Sequence, residues 1–168
     1  MNNIVLIGFM GCGKTTVGIK LSYHMRMAFL DTDKLIEKEQ EKEITEIFAQ
    51  DGEAYFREME TQLLEELIET ESGKIISTGG GLPVQAKNRP LLKKLGTVVY
   101  LKVKPETVYE RLKDDDKRPL LQCEDPLQRI RTLMAQRESA YADAADVIVQ
   151  VDGKDFDTII KEIEEKAG

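Results

Sequence analysis

Residues 8 to 15 read GFMGCGKT and set glycines, a lysine and a threonine in the spacing GxxxxGK[ST]. The chemistry open to such a stretch is polyphosphate binding. Glycines 8, 11 and 13 let consecutive backbone N–H groups turn inward, and a lysine and two hydroxyls follow where a helix would begin. Lys14 is expected to reach the β- and γ-phosphates of ATP, and the Thr15 hydroxyl to coordinate Mg²⁺. Gly11, Gly13 and Thr16 complete the cradle, with Cys12 contributing only its backbone N–H.

A phosphate cradle does not say what receives the phosphate, so the acceptor must be sought elsewhere. Asp31 and Asp33, in the stretch DTD, are two residues apart and so share one side of an extended segment. A plainer role for Asp33 or Thr32 is to cap the helix that follows. Gly79, Gly80 and Gly81 form a glycine triplet, which suits either close approach by a ligand or an ordinary tight turn. Arg57 sits beside Phe56 after a glycine-led turn at Gly52, and Arg137 lies in QRESAY. A small acceptor with a carboxylate and ring hydroxyls needs a guanidinium fork, a carboxylate and apolar walls. Arg57, Arg137, Asp33, Phe48 and Phe56 supply that set.

The elements that must hold these residues follow from apolar runs and punctuation. Strands are predicted at 3–7, 28–31, 74–78, 97–103 and 146–151, with helical stretches near 14–25, 33–70, 86–95, 105–113, 126–144 and 155–166. The alternation implies an α/β three-layer sandwich, a five-stranded parallel sheet with right-handed crossovers and ligands bound beyond the carboxyl ends of the strands. The charged run EKEQEKEITE (37–46) reads as a solvated helix face. The polar, proline-flanked segment 113–126 reads as a mobile lid loop. His24, the sole histidine, falls at the end of the first helix and reads as a surface residue.

The 168 residues and their 41% apolar content suit one domain, 1–168. A net charge of −7 excludes general affinity for nucleic acid or anionic membrane. Cys12 and Cys123 are far apart and form neither a disulfide framework nor a zinc motif, which fits a reducing cytoplasm. No signal segment or apolar run of membrane-spanning length is evident. A monomer is the default expectation.

Taken together, the phosphate loop, DTD, ITEIFAQDGEAYFREME (44–60), STGGG, RPLL (118–121) and RESAYADAADVIV (137–149) resemble the shikimate kinase family over most of the chain. The resemblance implies a nucleoside-monophosphate-kinase-like phosphate-loop fold. It also implies transfer of phosphate from ATP to the 3-hydroxyl of shikimate in aromatic amino-acid biosynthesis. By position it implies that Asp33, Arg57, Gly79, Gly80, Gly81 and Arg137 bind shikimate, with Phe48 and Phe56 near its ring. Lys14, Asp33 and Arg118 are the implied catalytic residues, Arg118 as a lid arginine on the transferring phosphate. Arg111 covers adenine, and Asp31 reaches Mg²⁺ through water. The proline that the family often carries in its adenine loop is missing from VDGKDFD (151–157), which leaves contacts near 152–154 open. Whether Asp33 is a general base or only orients the hydroxyl also stays open at this level.

Two other readings compete with this one. A kinase for another hydroxy acid, such as gluconate, shares the phosphate loop and arginines but not the joint presence of DTD, FRE and GGG. A non-catalytic nucleotide-binding module needs the cradle but has no use for an acceptor pocket. No NKxD sequence occurs, which argues against a guanine-specific switch.

Overall fold

A computed structural model describes residues 2–114 and 123–168. The sheet is built on β1 (Asn3–Ile7), all five of whose residues are buried, and on β4 (Gly96–Lys102), whose central residues are buried too. Near-continuous apolar runs of this kind belong to strands covered on both faces, where a polar side chain must find a partner. β2 (Ala28–Asp31), β3 (Lys74–Ser77) and β5 (Val147–Gln150) complete a five-stranded sheet in the order β2-β3-β1-β4-β5, every neighbouring pair parallel. The five strands expected from the sequence are thus all present, two with the expected bounds and three with ends shifted by one residue.

Helices α1 (Lys14–Met25) and α8 (Phe156–Ala167) pack on one face. Helices α4 (Glu53–Thr70), α5 (Asn88–Leu95) and α7 (Pro126–Ala144) pack on the other, with α6 (Pro105–Leu112) against α7. The chain leaves β1 toward one edge of the sheet and leaves the adjacent β3 toward the other. That divergence makes the carboxyl ends of β1 and β3 a topological switch point, the place where an open α/β sheet leaves a crevice. Asn3, buried at the opposite end, ties the sheet together by donating to Leu95 O and Glu71 O while accepting from the Lys74 N–H.

One expected element divides. The stretch 33–70 is three helices: α2 (Thr32–Gln40), α3 (Ile44–Asp51) and α4. Glu41 ends α2 in the left-handed region at φ 55°, and Gly52 stands between α3 and α4 at φ 88°. The run 37–46 is therefore not one helix face. Glu37 closes the break by accepting from the Ile44 N–H at 3.0 Å, so a residue read as solvated is used to hold a corner. This bend folds α3 back on α4 and brings Phe48 to Phe56, ring centroids 5.0 Å apart.

Candidate active site

At the switch point the loop after β1 carries the glycine motif into α1. Gly13 is the N-cap of α1 at φ 94°, a backbone conformation that an L side chain rarely adopts. The first unpaired N–H groups of α1 are thereby aimed into the crevice, the ordinary setting for phosphate. Lys14 Nζ donates to Gly8 O at 2.5 Å and Phe9 O at 3.2 Å, so the loop's own carbonyls hold the cation over it. Thr15 and Thr16 line the cleft beside Lys14. The Cys12 N–H closes the loop by donating to Phe9 O at 3.2 Å, while its side chain is buried. Arg111, on α6, donates to Gly11 O at 2.8 Å and so lies against the loop.

The acceptor side begins at the end of β2. Asp31, and neither Thr32 nor Asp33, is the N-cap of α2: its Oδ1 accepts from the N–H groups of Asp33 at 2.9 Å and Lys34 at 3.3 Å. Both cap bonds use one oxygen, so Oδ2 is not spent on the cap. Thr32 is fully buried and its hydroxyl accepts from the Gly79 N–H at 3.2 Å. This frees Asp33 to line the cleft.

Each glycine of the triplet faces a different charged side chain. A methyl group in place of the Gly81 hydrogen would lie 2.5 Å from Arg57 Nη2, and one at Gly79 would lie 2.7 Å from Asp33 Oδ1. At Gly80 the neighbour is Arg137 Nη1, at 3.4 Å. Side chains at Gly79 and Gly81 would collide with the Asp33 carboxylate and the Arg57 guanidinium, whereas Gly80 leaves ordinary contact distance to Arg137. The rings follow the same plan, Arg57 lying over Phe56 and Arg137 over Phe9.

Glu60 was not singled out by the sequence. It is fully buried on α4 and binds Arg57 Nη1 at 2.7 Å, while Glu53 holds Nη2 at 3.4 Å. Its other oxygen, Oε2, and Asp33 Oδ1 are buried without a hydrogen-bond partner, and both approach the flank of Gly79. Burial pushes the Glu60 carboxyl up to about 7 against the pull of Arg57. Burial, and then the Asp31 charge, also raise Asp33, while Lys14 and Arg57 oppose them. The spacing Arg57 to Glu60 is one helical turn, a pattern that in sequence is indistinguishable from a surface ion pair.

These residues line a single cleft of about 440 Å³ that runs from Gly11, Lys14 and Thr15 through Asp31 and Asp33 to Arg57, Gly79–Gly81 and Arg137. Phe48 and Phe56 form part of its wall. Arg118 and most of the segment 113–126 lie outside the described residues. His24 is exposed and pairs with Glu164 of α8 at 2.9 Å, remote from the cleft lining. Asp152, in the loop expected near adenine, accepts from Lys104 N and the Thr107 hydroxyl and so ties β5 to α6.

For a divalent cation, the cleft offers the Thr15 hydroxyl and the Asp31 oxygen left over from capping. Among the described residues there is no cluster of three or more His, Cys, Asp or Glu side chains suited to a metal. This donor set fits an ion that is held largely by phosphate and water.

A family model described as shikimate kinase matches residues 10–167. A shikimate kinase of Sulfurihydrogenibium sp. is 44% identical over 163 residues, covering 97% of this chain and 96% of the relative. Among solved structures, the shikimate kinase of Acinetobacter baumannii in complex with shikimate superimposes with a TM-score of 0.89 at 38% identity, covering 98% of this chain and 92% of that one. A gluconokinase of Sinorhizobium meliloti reaches a TM-score of 0.60 at 17% identity over 96% of this chain and 88% of its own, a likeness of fold alone.

Proposed function

The chain belongs to the shikimate kinase family, and we propose on that premise that it transfers the γ-phosphoryl group of ATP to the 3-hydroxyl of shikimate, giving shikimate 3-phosphate and ADP. The observation that carries the reading is the glycine triplet, flanked by Asp33, Arg137 and Arg57, in the same cleft as the phosphate loop.

Phosphoryl transfer depends on positioning and charge neutralisation more than on covalent chemistry. The loop residues Gly11–Thr16 cradle the phosphates, and Lys14 exchanges its two carbonyl partners for phosphate oxygens. Thr15 and Asp31 would hold Mg²⁺, and the ion when bound would supply positive charge that offsets the charge of the phosphates. Arg57 and Arg137 form the fork for the acceptor carboxylate, and Gly79–Gly81 let the acceptor approach the backbone. Phe48 and Phe56 wall the ring. Asp33 accepts a hydrogen bond from the attacking hydroxyl and orients it. A carboxylate whose proton affinity is raised by burial is also the better base for that proton. Arg118 neutralises charge on the transferring group, and Arg111 lies over the base. The protein acts as a single kinase domain and a monomer in the cytoplasm, in aromatic amino-acid biosynthesis, with no membrane or nucleic-acid partner. Among the described residues no helix is long and apolar enough to cross a membrane.

Coupled ADP release with ATP and Mg²⁺, comparing shikimate, quinate, gluconate and no acceptor, tests the assignment. Turnover with shikimate alone is expected, falling by about 10²-fold or more in Asp33→Asn, the scale of a lost general base. Equal turnover with gluconate would give the site to another hydroxy acid. No turnover with any acceptor would leave a nucleotide-binding module.

A further inference from the structure

One turn beyond Arg137 on α7 stands Tyr141, a residue that the reaction does not use directly. Its side chain is 1% exposed and its hydroxyl donates to the Gly80 carbonyl at 2.6 Å. Gly80 thus meets one helix twice: the Tyr141 hydroxyl bonds its carbonyl, and the Arg137 guanidinium lies 3.4 Å from where a β-carbon on Gly80 would stand. The Tyr141 ring cannot swing freely, because Tyr100 packs on it with centroids 5.2 Å apart. Tyr100 commits its own hydroxyl to Glu138 and so does not compete for Gly80.

The carbonyl of Gly80 and the N–H of Gly81 belong to one planar trans peptide, so fixing the first fixes the direction of the second. The turn itself is closed by other groups: Leu82 N–H donates to Gly79 O and Val84 N–H to Gly81 O, both at 3.2 Å. Neither bond constrains the Gly80–Gly81 peptide plane. Glycines on both sides of that peptide give it unusual freedom to rotate, and the Tyr141 hydroxyl is the group that removes it.

We propose that Tyr141 is a positioning residue for the acceptor: its single hydroxyl sets the Gly80–Gly81 peptide and keeps Arg137 in register with it, so that backbone and guanidinium present one surface to the acceptor carboxylate. Burial pushes its pKa up to about 12, which keeps the hydroxyl a donor across the working pH range. The inference rests on the proposed shikimate kinase reading, because it needs an acceptor bound at this turn.

The test compares Tyr141→Phe and Tyr100→Phe with the unaltered protein. Both variants keep the ring and lose one buried hydroxyl, but only one of those hydroxyls touches Gly80. Steady-state kinetics with ATP and shikimate are read beside thermal unfolding. In Tyr141→Phe the KM for shikimate is expected to rise about tenfold, the effect of losing one buried hydrogen bond. The KM for ATP and kcat stay within about twofold, as expected of a loss confined to acceptor binding. Tyr100→Phe leaves the shikimate KM unchanged. An unchanged shikimate KM in Tyr141→Phe would overturn the inference, as would an equal rise in Tyr100→Phe or a parallel rise for ATP with a lowered Tm. Absence of shikimate turnover by the unaltered protein would instead overturn the functional reading, so the two failures are told apart.

Discussion

The two halves of the cleft are held by different means. On the nucleotide side the shape comes from backbone: Gly13 in the left-handed region, the Cys12 N–H closing onto Phe9, and carbonyls that hold Lys14. On the acceptor side the backbone turn is short and is fixed by buried side chains. Thr32 takes the Gly79 N–H, Tyr141 gives to the Gly80 carbonyl, and Asn88 gives to the Leu82 carbonyl while receiving from Thr61. A polyphosphate carries no shape of its own to distinguish nucleotides and is met by one contiguous stretch of chain. An acceptor of particular shape is met by groups recruited from α2, α4, α5 and α7, each placed by the packing of its own helix.

Three experiments probe this division. Lys14→Ala strikes the nucleotide half and is expected to lower kcat by roughly 10³-fold or more, the scale of lost charge stabilisation in phosphoryl transfer. Calorimetric binding of shikimate in the absence of nucleotide should be retained in that variant. Loss of acceptor binding would show that the halves do not act separately. Gly81→Ala strikes the other half, since the added methyl would displace the Arg57 guanidinium. The shikimate KM should rise roughly 10- to 100-fold, as expected for a lost charge-assisted fork, with the ATP KM little changed. A rise in the ATP KM of the same size would break the comparison.

The smallest effect concerns Glu60 and stability rather than turnover. Its carboxyl sits at about 7 in the folded protein against an ordinary value of 4.5. Between those values the folded state binds more proton than the unfolded chain. The stability that Glu60 contributes is therefore complete below pH 4.5 and is lost as pH rises through about 7. Urea unfolding at two pH values spanning that window should show a greater loss in the unaltered protein than in Glu60→Gln, which cannot titrate. Equal losses would mean that the acceptor half carries no electrostatic stress of this origin.

The same division explains what the sequence discloses. A backbone-built site must be spelled locally, and GFMGCGKT is contiguous, so the loop and its strand-to-helix setting were legible. The five strands were legible because each is a short apolar run set apart by helical stretches, most fully buried in β1 and β4. Asp33, Arg57 and Arg137 were found through a joint pattern, and the structure brings them to one glycine triplet. Glu60 and Tyr141 were missed for a physical reason. A glutamate three residues after an arginine is most often a surface pair, and a tyrosine on an amphipathic helix is most often core. Their roles depend on α4 and α7 meeting the turn after β3, which no local spacing records. The break of 33–70 into three helices was hidden likewise, since Glu41 ends α2 in a conformation that its residue type does not advertise.

The cap at the head of α2 has a geometric result for the whole reaction. The carboxylate of Asp31 reaches toward the metal-bound phosphates in the proposed scheme, and the same carboxylate grips the backbone N–H of Asp33, the residue proposed to steer the incoming hydroxyl. One short side chain thus serves as a ruler between donor and acceptor. Its span is written into two residues of chain, so no movement of an overlying loop can lengthen it. Asp31→Asn, which can still cap, would keep the ruler while removing its charge, and so separates the measuring of distance from the holding of the ion.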